Sequence, residues 1–120
     1  MANLKSFQKI TLLNVVMALW LSTLPSSFAG TDPKAAAGET LFKSHCLLCH
    51  GADATGNTTL GKQLKAKNLH SAVVQKKADA ELKQLITDGE GNMPPFSAQL
   101  TAAQIDELVA YIRQLGKTKK

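Results

Sequence analysis

The chain has 120 residues, of which 44% are apolar and 19% are charged, which is the composition of one ordinary globular domain. This composition excludes collagen-like and low-complexity chains, and two cysteines are too few for a disulfide-stabilised scaffold. The formal net charge of +5 brings nucleic-acid binding into consideration, but the charge is smaller once the N-terminus is assigned.

Residues 1–29 are predicted to be a secretory signal peptide. Two lysines precede an apolar stretch over residues 10–24, and Ser27 and Ala29 are small residues at the two positions that a signal peptidase recognises. The apolar stretch is shorter than the roughly 20 residues that a membrane-spanning helix needs, so cleavage is favoured over a retained membrane anchor. Cleavage removes two lysines and no acid, so residues 30–120 carry a net charge of +3.

The predicted signal peptide and the net charge together predict the cellular compartment and the kind of partner of the domain. We expect a periplasmic domain of residues 30–120, with no stable membrane insertion once the leader is cleaved. A retained leader would instead leave the protein anchored in the membrane. The small positive charge does not indicate nucleic-acid binding.

Helix signals dominate the first half of the domain. Asp32 as N-cap and Pro33 at the first helical position predict a helix that runs towards Cys46. Residues 51–61 are rich in Gly, Thr, Asn and Asp, which predicts a loop. A short amphipathic helix is expected within residues 60–69, where leucines recur.

Two more helices are predicted in the second half. Asp79 is expected to cap a third helix, which ends at Gly89. Thr101 and Gln104 form a capping box at the start of the last helix, and Gly116 is predicted to end it.

Residues 46–50 read Cys-Leu-Leu-Cys-His, which is a C-x-x-C-H motif. Two thiols at this spacing can each add to one of the two vinyl groups of a haem. The adjacent His50 can then supply an imidazole nitrogen to the iron. The single motif predicts one covalently attached haem c with its iron, held by Cys46 and Cys49.

Two other interpretations of the motif are weaker. A thioredoxin-like redox site has a helix that starts at its first cysteine, whereas a helix is predicted to end near Cys46. A zinc site needs four ligands, and the motif supplies three. His45 and His70 are available as a fourth, but their spacing matches no zinc pattern.

Residues 34–116 resemble class I monohaem cytochromes c, which are small bacterial electron carriers. Besides the C-x-x-C-H motif, the resemblance includes Gly38 and Phe42 before it, Met-Pro-Pro-Phe at residues 93–96, and Leu108 with Tyr111 near the C-terminus. The resemblance implies an all-α cytochrome c fold, with three to five helices around one covalently attached haem. It also implies that the first and last helices cross at Gly38, Phe42, Leu108 and Tyr111.

The same resemblance assigns the residues of the haem site. Cys46 and Cys49 would form the thioethers, His50 would be the proximal ligand of the iron, and Met93 would be the sixth ligand. Many relatives have a proline soon after the motif, and its carbonyl accepts the N–H of the proximal histidine. Residues 51–54 contain no proline, so the resemblance leaves this acceptor unidentified.

The assignment of Met93 has independent support in the sequence. Met93 is the only methionine outside the leader, and it lies in a loop, residues 89–96, that contains two glycines and two prolines. A thioether favours ferrous iron and raises the reduction potential relative to a second imidazole. The alternatives are that Met93 is a packing residue, or that His45 or His70 takes its place at the iron.

The predicted function is single-electron transfer without catalysis, between respiratory complexes or redox enzymes. Two alternatives remain: a haem-based gas sensor or peroxidase-like enzyme with a labile sixth ligand, and the electron-transfer subunit of a larger dehydrogenase. Residues 62–77 contain five lysines and no acid, so this stretch could dock on an acidic redox partner or be a plain solvated face.

Overall fold

The computed structural model describes Gly30 and residues 32–118, and the predicted signal peptide lies outside these residues. The described residues form six helices: α1 (Pro33–His45), α2 (Leu47–His50), α3 (Thr59–Leu64), α4 (Ala72–Gln75), α5 (Asp79–Asp88) and α6 (Ala102–Lys117). They contain no β-strand beyond a single bridge between Glu90 and Met93. The predicted all-α fold is confirmed. The helices number one more than the predicted three to five because α2 and α4 are separate four-residue turns.

The predicted starts of the first and last helices are confirmed at atomic detail. The Asp32 carboxylate accepts a hydrogen bond from the backbone N–H of Lys34 at 2.9 Å, and Pro33 follows as the first helical residue. At α6, Thr101 Oγ1 accepts from the Gln104 N–H at 3.2 Å, and Gln104 Oε1 accepts from the Thr101 N–H at 2.9 Å. This reciprocal pair is the predicted capping box.

The predicted cap of α5 was wrong by one residue. The N-cap is Ala78, whose backbone N–H donates to Glu81 Oε2 at 2.8 Å. Asp79 is the first helical residue, and its carboxylate accepts a hydrogen bond from Nε of Arg113 at 2.8 Å. The carboxylate of Asp79 therefore binds a distant arginine, while Glu81 satisfies the start of the helix from inside it.

Helices α1 and α6 cross at Gly38, as the resemblance implied. A Cβ atom at Gly38 would lie 2.6 Å from the carbonyl carbon of Glu107 and 2.9 Å from Cβ of Tyr111, and it would lie closer still to the Glu107 carbonyl oxygen. Any larger side chain would push the helices apart. One turn along α1, the ring of Phe42 packs against the ring of Tyr111 at a centroid distance of 5.3 Å.

The core lies along this crossing. Phe42 and Leu108 are the largest side chains that are almost completely buried, at 2% and 1% exposure. The other large apolar side chains buried with them come from α4, α5, α6 and the loops: Leu69, Val74, Leu82, Ile86, Leu100, Ile105, Val109, Tyr111 and Ile112. Because α1 runs from this core directly to Cys46, the crossing sets the position of the C-x-x-C-H motif.

The second half of α6 holds the segment between α3 and α5 by side-chain hydrogen bonds. Arg113 Nη1 donates to the carbonyl of Gln75 at 2.8 Å, and Nη2 donates to the carbonyl of Lys77. The amide of Gln75 donates to the carbonyls of Leu69 and Ile112, at 2.7 and 2.9 Å. These bonds fix a segment that has only one short helix of its own.

We expect the substitution Gly38→Leu to lower the free energy of unfolding by about 1–3 kcal/mol, because the added side chain must separate α1 from α6. Intrinsic helix propensity alone would favour leucine over glycine by about 0.8 kcal/mol. A fall in the free energy of unfolding therefore shows that the close contact of the two helices outweighs this propensity. Chemical denaturation of the haem-loaded protein measures it. Ala36→Leu, at an exposed position on the same helix, is the matched control, and equal stabilities for the two variants would contradict this account.

Candidate functional site

The C-x-x-C-H motif forms a tight turn between the end of α1 and the end of α2. The N–H of Cys46 donates to the carbonyl of Phe42 at 2.8 Å, and the N–H of His50 donates to the carbonyl of Cys46 at 2.9 Å. Gly51, with a φ of 79°, ends α2 in a left-handed conformation. Neither cysteine is in a disulfide, and both are partly buried. One turn of backbone therefore carries two cysteine side chains and an imidazole.

The ring of His50 is oriented by a backbone carbonyl that the sequence did not identify. Its Nδ1 lies 3.0 Å from the carbonyl oxygen of Lys67. A carbonyl only accepts, so Nδ1 carries the proton and Nε2 is left with a lone pair for a metal. Burial lowers the pKa of His50, and the hydrogen bond to Lys67 opposes this shift in part. The lowered pKa favours the neutral imidazole, which is the form that binds a metal.

Cys46 does not have the lowered pKa of an attacking redox thiol. Burial, and then the charge of Cys49, raise the pKa of Cys46 to about 11. The attacking cysteine of a thioredoxin-like site has a lowered pKa, because the thiolate is the nucleophile. Cys46 is also preceded by α1 and not by a strand. Both observations count against the thioredoxin-like interpretation.

The turn is also held from α3. Thr58 Oγ1 donates to the carbonyl of Leu48 at 2.9 Å and accepts from the N–H of Gly61 at 2.8 Å, so one hydroxyl both caps α3 and binds α2. The N–H of Gly56 donates to the carbonyl of His50 at 2.7 Å. A Cβ atom at Gly61 would collide with the carbonyl oxygen of Cys49, so α3 packs directly on the motif.

The methionine loop, residues 89–96, is a tight turn with fixed backbone geometry. The N–H of Met93 donates to the carbonyl of Glu90 at 2.9 Å, and the N–H of Glu90 donates to the carbonyl of Met93 at 3.1 Å. Gly91, with a φ of 59°, supplies the left-handed residue that this two-residue connection needs. The side chain of Met93 is half-buried against the core.

Gly89 restricts the loop more than Gly91 does. Its φ of 76° and ψ of 170° belong to a region that is nearly exclusive to glycine. A Cβ atom there would lie 2.8 Å from the nitrogen of Pro95 and 2.9 Å from the carbonyl carbon of Pro94. A Cβ atom at Gly91 would meet nothing within 4 Å.

Cys46 and Met93 both pack against the core without being fully covered by it. The partly exposed apolar side chains that do so are Leu41, Cys46, Leu85, Met93, Phe96 and Leu115. The ring of His45 lies edge-on to Phe96 at 6.3 Å, which places His45 against the methionine loop. Two thiols, a neutral imidazole and a thioether are the donors that hold a haem and ligate its iron, so these residues fit that cofactor.

His70 is not a free imidazole. Its Nδ1 lies 2.8 Å from the carbonyl oxygen of Leu115, and its Nε2 lies 2.9 Å from that of Asp53. His70 would have to give up one of these contacts to bind iron. It therefore joins the loop after the motif to the end of α6, and it is a poor substitute for Met93.

The fold does not supply the fourth ligand that a zinc site at the motif would need. Within residues 32–118, no three His, Cys, Asp or Glu side chains are grouped so that they could hold a metal ion.

An all-α fold whose first and last helices cross, with one C-x-x-C-H turn between them, defines a c-type cytochrome. Residues 33–112 match the family described as cytochrome C oxidase, cbb3-type, subunit III, and the chain belongs to this family of cytochrome c domains. It is an electron-transfer domain that carries covalently bound haem c with its iron.

Relatives of two kinds are similar to the chain. FixP, a cbb3-type cytochrome c oxidase subunit of Azorhizobium caulinodans, is 32% identical over 83% of this chain and 33% of its own length. The chain thus spans about a third of that relative. Cytochrome c6 of Picosynechococcus sp. is 31% identical over 88% of this chain and 97% of its own length.

One solved structure agrees with this assignment. The KustC0563 c-type cytochrome is 36% identical and superposes with a TM-score of 0.58, over 65% of this chain and 95% of that one.

We expect Gly89→Ala to destabilise the protein more than Gly91→Ala. At Gly91 the left-handed backbone alone costs about 1 kcal/mol. At Gly89 the conformation and the contacts with Pro94 and Pro95 should together cost about 3 kcal/mol. Urea denaturation of the two haem-loaded variants measures the difference. Equal losses would mean that the backbone of residues 89–95 can shift to admit a methyl group.

Proposed function

We propose that Cys46 and Cys49 hold the haem through thioether bonds and that His50 and Met93 are the two axial ligands of its iron. With this site, the domain would pass single electrons between protein partners outside the cytoplasm. The observation that carries the proposal is the ring of His50, which Lys67 fixes with Nε2 left for the iron, on the same turn as two cysteine side chains. The half-buried thioether of Met93 supports the sixth ligand, because it packs against the core in a loop whose Phe96 contacts His45, the residue before the motif.

The haem supplies a one-electron couple between ferric and ferrous iron. The protein's part is to hold the ligands still and to keep other ligands away. The carbonyl of Lys67 orients the ring of His50, and the bridge to Glu90 fixes the backbone of Met93, so both proposed ligands start from a defined position. The thioether of Met93 favours the ferrous state and raises the reduction potential. With His50 and Met93 both bound to the iron, no position would be left for a substrate, which suits a carrier.

The charge distribution supports docking on an acidic partner. The lysine patch consists of Lys62, Lys65, Lys67, Lys76 and Lys77, and the first four of these are exposed. Lys77 lies 3.7 Å from Glu81, whereas the other four form no ion pair within the described part of the chain. The patch is adjacent to the site because Lys67 provides the carbonyl that binds His50. Complementary charge would raise the rate of encounter.

A role as part of a larger complex is the second candidate. It is supported by the FixP relative and by CcoP of Azospirillum brasilense, a cbb3-type oxidase subunit that is 37% identical over 74% of this chain and 31% of its own length. The cytochrome c6 relative, which the chain matches over almost its whole length, supports the separate carrier. Among the described helices, none is long and apolar enough to cross a membrane.

Met93→Ala should leave the haem attached but open the iron to imidazole and cyanide. The near-infrared charge-transfer band of methionine-ligated ferric haem should disappear. Met93→His should keep six-coordinate iron at a lower midpoint potential, because imidazole stabilises the ferric state better than a thioether does. Near-infrared spectra and redox titrations of the purified ferric proteins measure both effects.

Cys46→Ala/Cys49→Ala is the control, and it should abolish haem that survives denaturing electrophoresis. If Met93→Ala keeps the near-infrared band and the midpoint potential of the parent, Met93 is only a packing residue.

A separate carrier and a subunit of a complex differ in the proteins that co-purify with them from their own cells. A carrier should be recovered in the periplasmic extract as a haem-stained chain. Its intact mass should correspond to a chain that starts near Gly30, after cleavage of residues 1–29. Gentle solubilisation of the membranes followed by affinity capture shows whether the protein is instead a subunit of a larger complex. Capture of stoichiometric oxidase or dehydrogenase subunits would overturn the carrier, and a mass that includes Trp20 in the membrane fraction would overturn the cleaved leader.

A further inference from the structure

Helix α3 ends with an exposed backbone carbonyl that another part of the chain binds. Lys65, with a φ of 59°, turns the backbone into the left-handed region directly after Leu64. The carbonyl of Gly61 accepts from the N–H of Ala66 at 2.8 Å, and that of Lys62 accepts from the N–H of Lys65 at 3.3 Å. The carbonyl of Leu64 accepts from Nδ2 of Asn92 at 3.1 Å.

Asn92 is the neighbour of Met93 in the methionine loop, so this hydrogen bond joins that loop to α3. The start of α3 is in turn fixed on the C-x-x-C-H turn, through the Thr58 hydroxyl and the close approach of Gly61 to the Cys49 carbonyl. A continuous path of protein contacts therefore runs from Cys49 through α3 to the residue beside Met93. The path does not pass through a cofactor.

The hydrogen bond of Asn92 differs from the other contacts of the loop in the element that it connects the loop to. The bridge between Glu90 and Met93 fixes the shape of the turn, but both of its ends belong to the loop. On the C-terminal side, the N–H of Phe96 donates to the carbonyl of Ile86 at 3.0 Å, which ties the loop to α5. The bond from Asn92 to Leu64 ties the loop to the helix that packs on the haem motif.

We propose that Asn92 is a positioning residue for the sixth ligand: its amide holds the Met93 thioether in place relative to the C-x-x-C-H turn by binding α3. The proposal rests on the proposed function, since it takes Met93 as a ligand. Loss of the bond leaves the iron–methionine contact intact but weaker. A competing ligand should then displace the thioether more easily.

The test is the affinity of the haem-loaded ferric protein for imidazole, read from the shift of the main visible absorption band of the haem, which every variant keeps. Asn92→Ala should tighten apparent imidazole binding about two- to tenfold, which is the range that one lost hydrogen bond gives. Asn92→Asp, nearly identical in shape, replaces the amide donor with a carboxylate oxygen and should have at least the same effect. Unchanged affinity in both variants would overturn the proposal.

A second comparison separates positioning from general loosening. In the Met93→Ala background there is no thioether to displace, so adding Asn92→Ala should leave imidazole affinity unchanged. Asn68→Ala is the matched control, because it removes an exposed asparagine whose Oδ1 accepts from the His70 N–H at 2.9 Å, away from the methionine loop. An equal gain of affinity in Asn68→Ala, or in the Met93→Ala background, would overturn the role of Asn92.

The same experiment keeps the two proposals apart. If Met93→Ala retains the near-infrared band and the imidazole affinity of the parent, the proposed sixth ligand fails. If Met93→Ala loses the near-infrared band while the Asn92 variants bind imidazole as the parent does, only the role of Asn92 fails.

Discussion

The contact between α1 and α6 at Gly38 is the constraint on which the rest of the structure depends. Because no side chain separates the two backbones there, Phe42 can pack on Tyr111, and Leu108 is almost fully buried. Helix α1 then leads without interruption into the C-x-x-C-H turn. A shift of one helix against the other would move the C-x-x-C-H turn relative to the core that packs on α6.

Helix α6 also acts on the C-x-x-C-H turn through a second segment of the chain, although it contributes no proposed ligand. Arg113 and the carbonyl of Ile112 bind the segment around Gln75, and the carbonyl of Leu115 binds His70. Three residues before His70, the carbonyl of Lys67 fixes the ring of His50. The packing of α1 on α6 thus fixes the position of His50, the proposed proximal ligand, through two sets of contacts. One set runs along α1, and the other runs through this segment.

The methionine loop is connected differently, by backbone geometry more than by burial. Met93 is only half-buried, and its loop is held by the bridge to Glu90, by the close fit of Gly89 and by the bond from Asn92 to α3. The proposed proximal side is held by a packed core, whereas the proposed distal side is held by a few hydrogen bonds.

Local chemistry was readable from the sequence. The cap at Asp32, the capping box at Thr101 and the end of α5 at Gly89 depend on residues close together in the chain, and each is present in the structure. The C-x-x-C-H motif was equally visible because its chemistry needs five consecutive residues. The cap of α5 was misassigned because a residue 34 positions away, Arg113, binds the carboxylate of Asp79.

Only the tertiary structure decided which distant groups meet. The carbonyls of Lys67 and Leu64 bind His50 and Asn92, and nothing in the sequence marks them, because every residue carries the same carbonyl group. The two contacts of His70 with the carbonyls of Leu115 and Asp53 were hidden for the same reason. The sequence by itself determined four of the six described helices, the cofactor chemistry and the candidate ligands. The fold determined how those ligands are oriented, because orientation depends on backbone groups brought together across the chain.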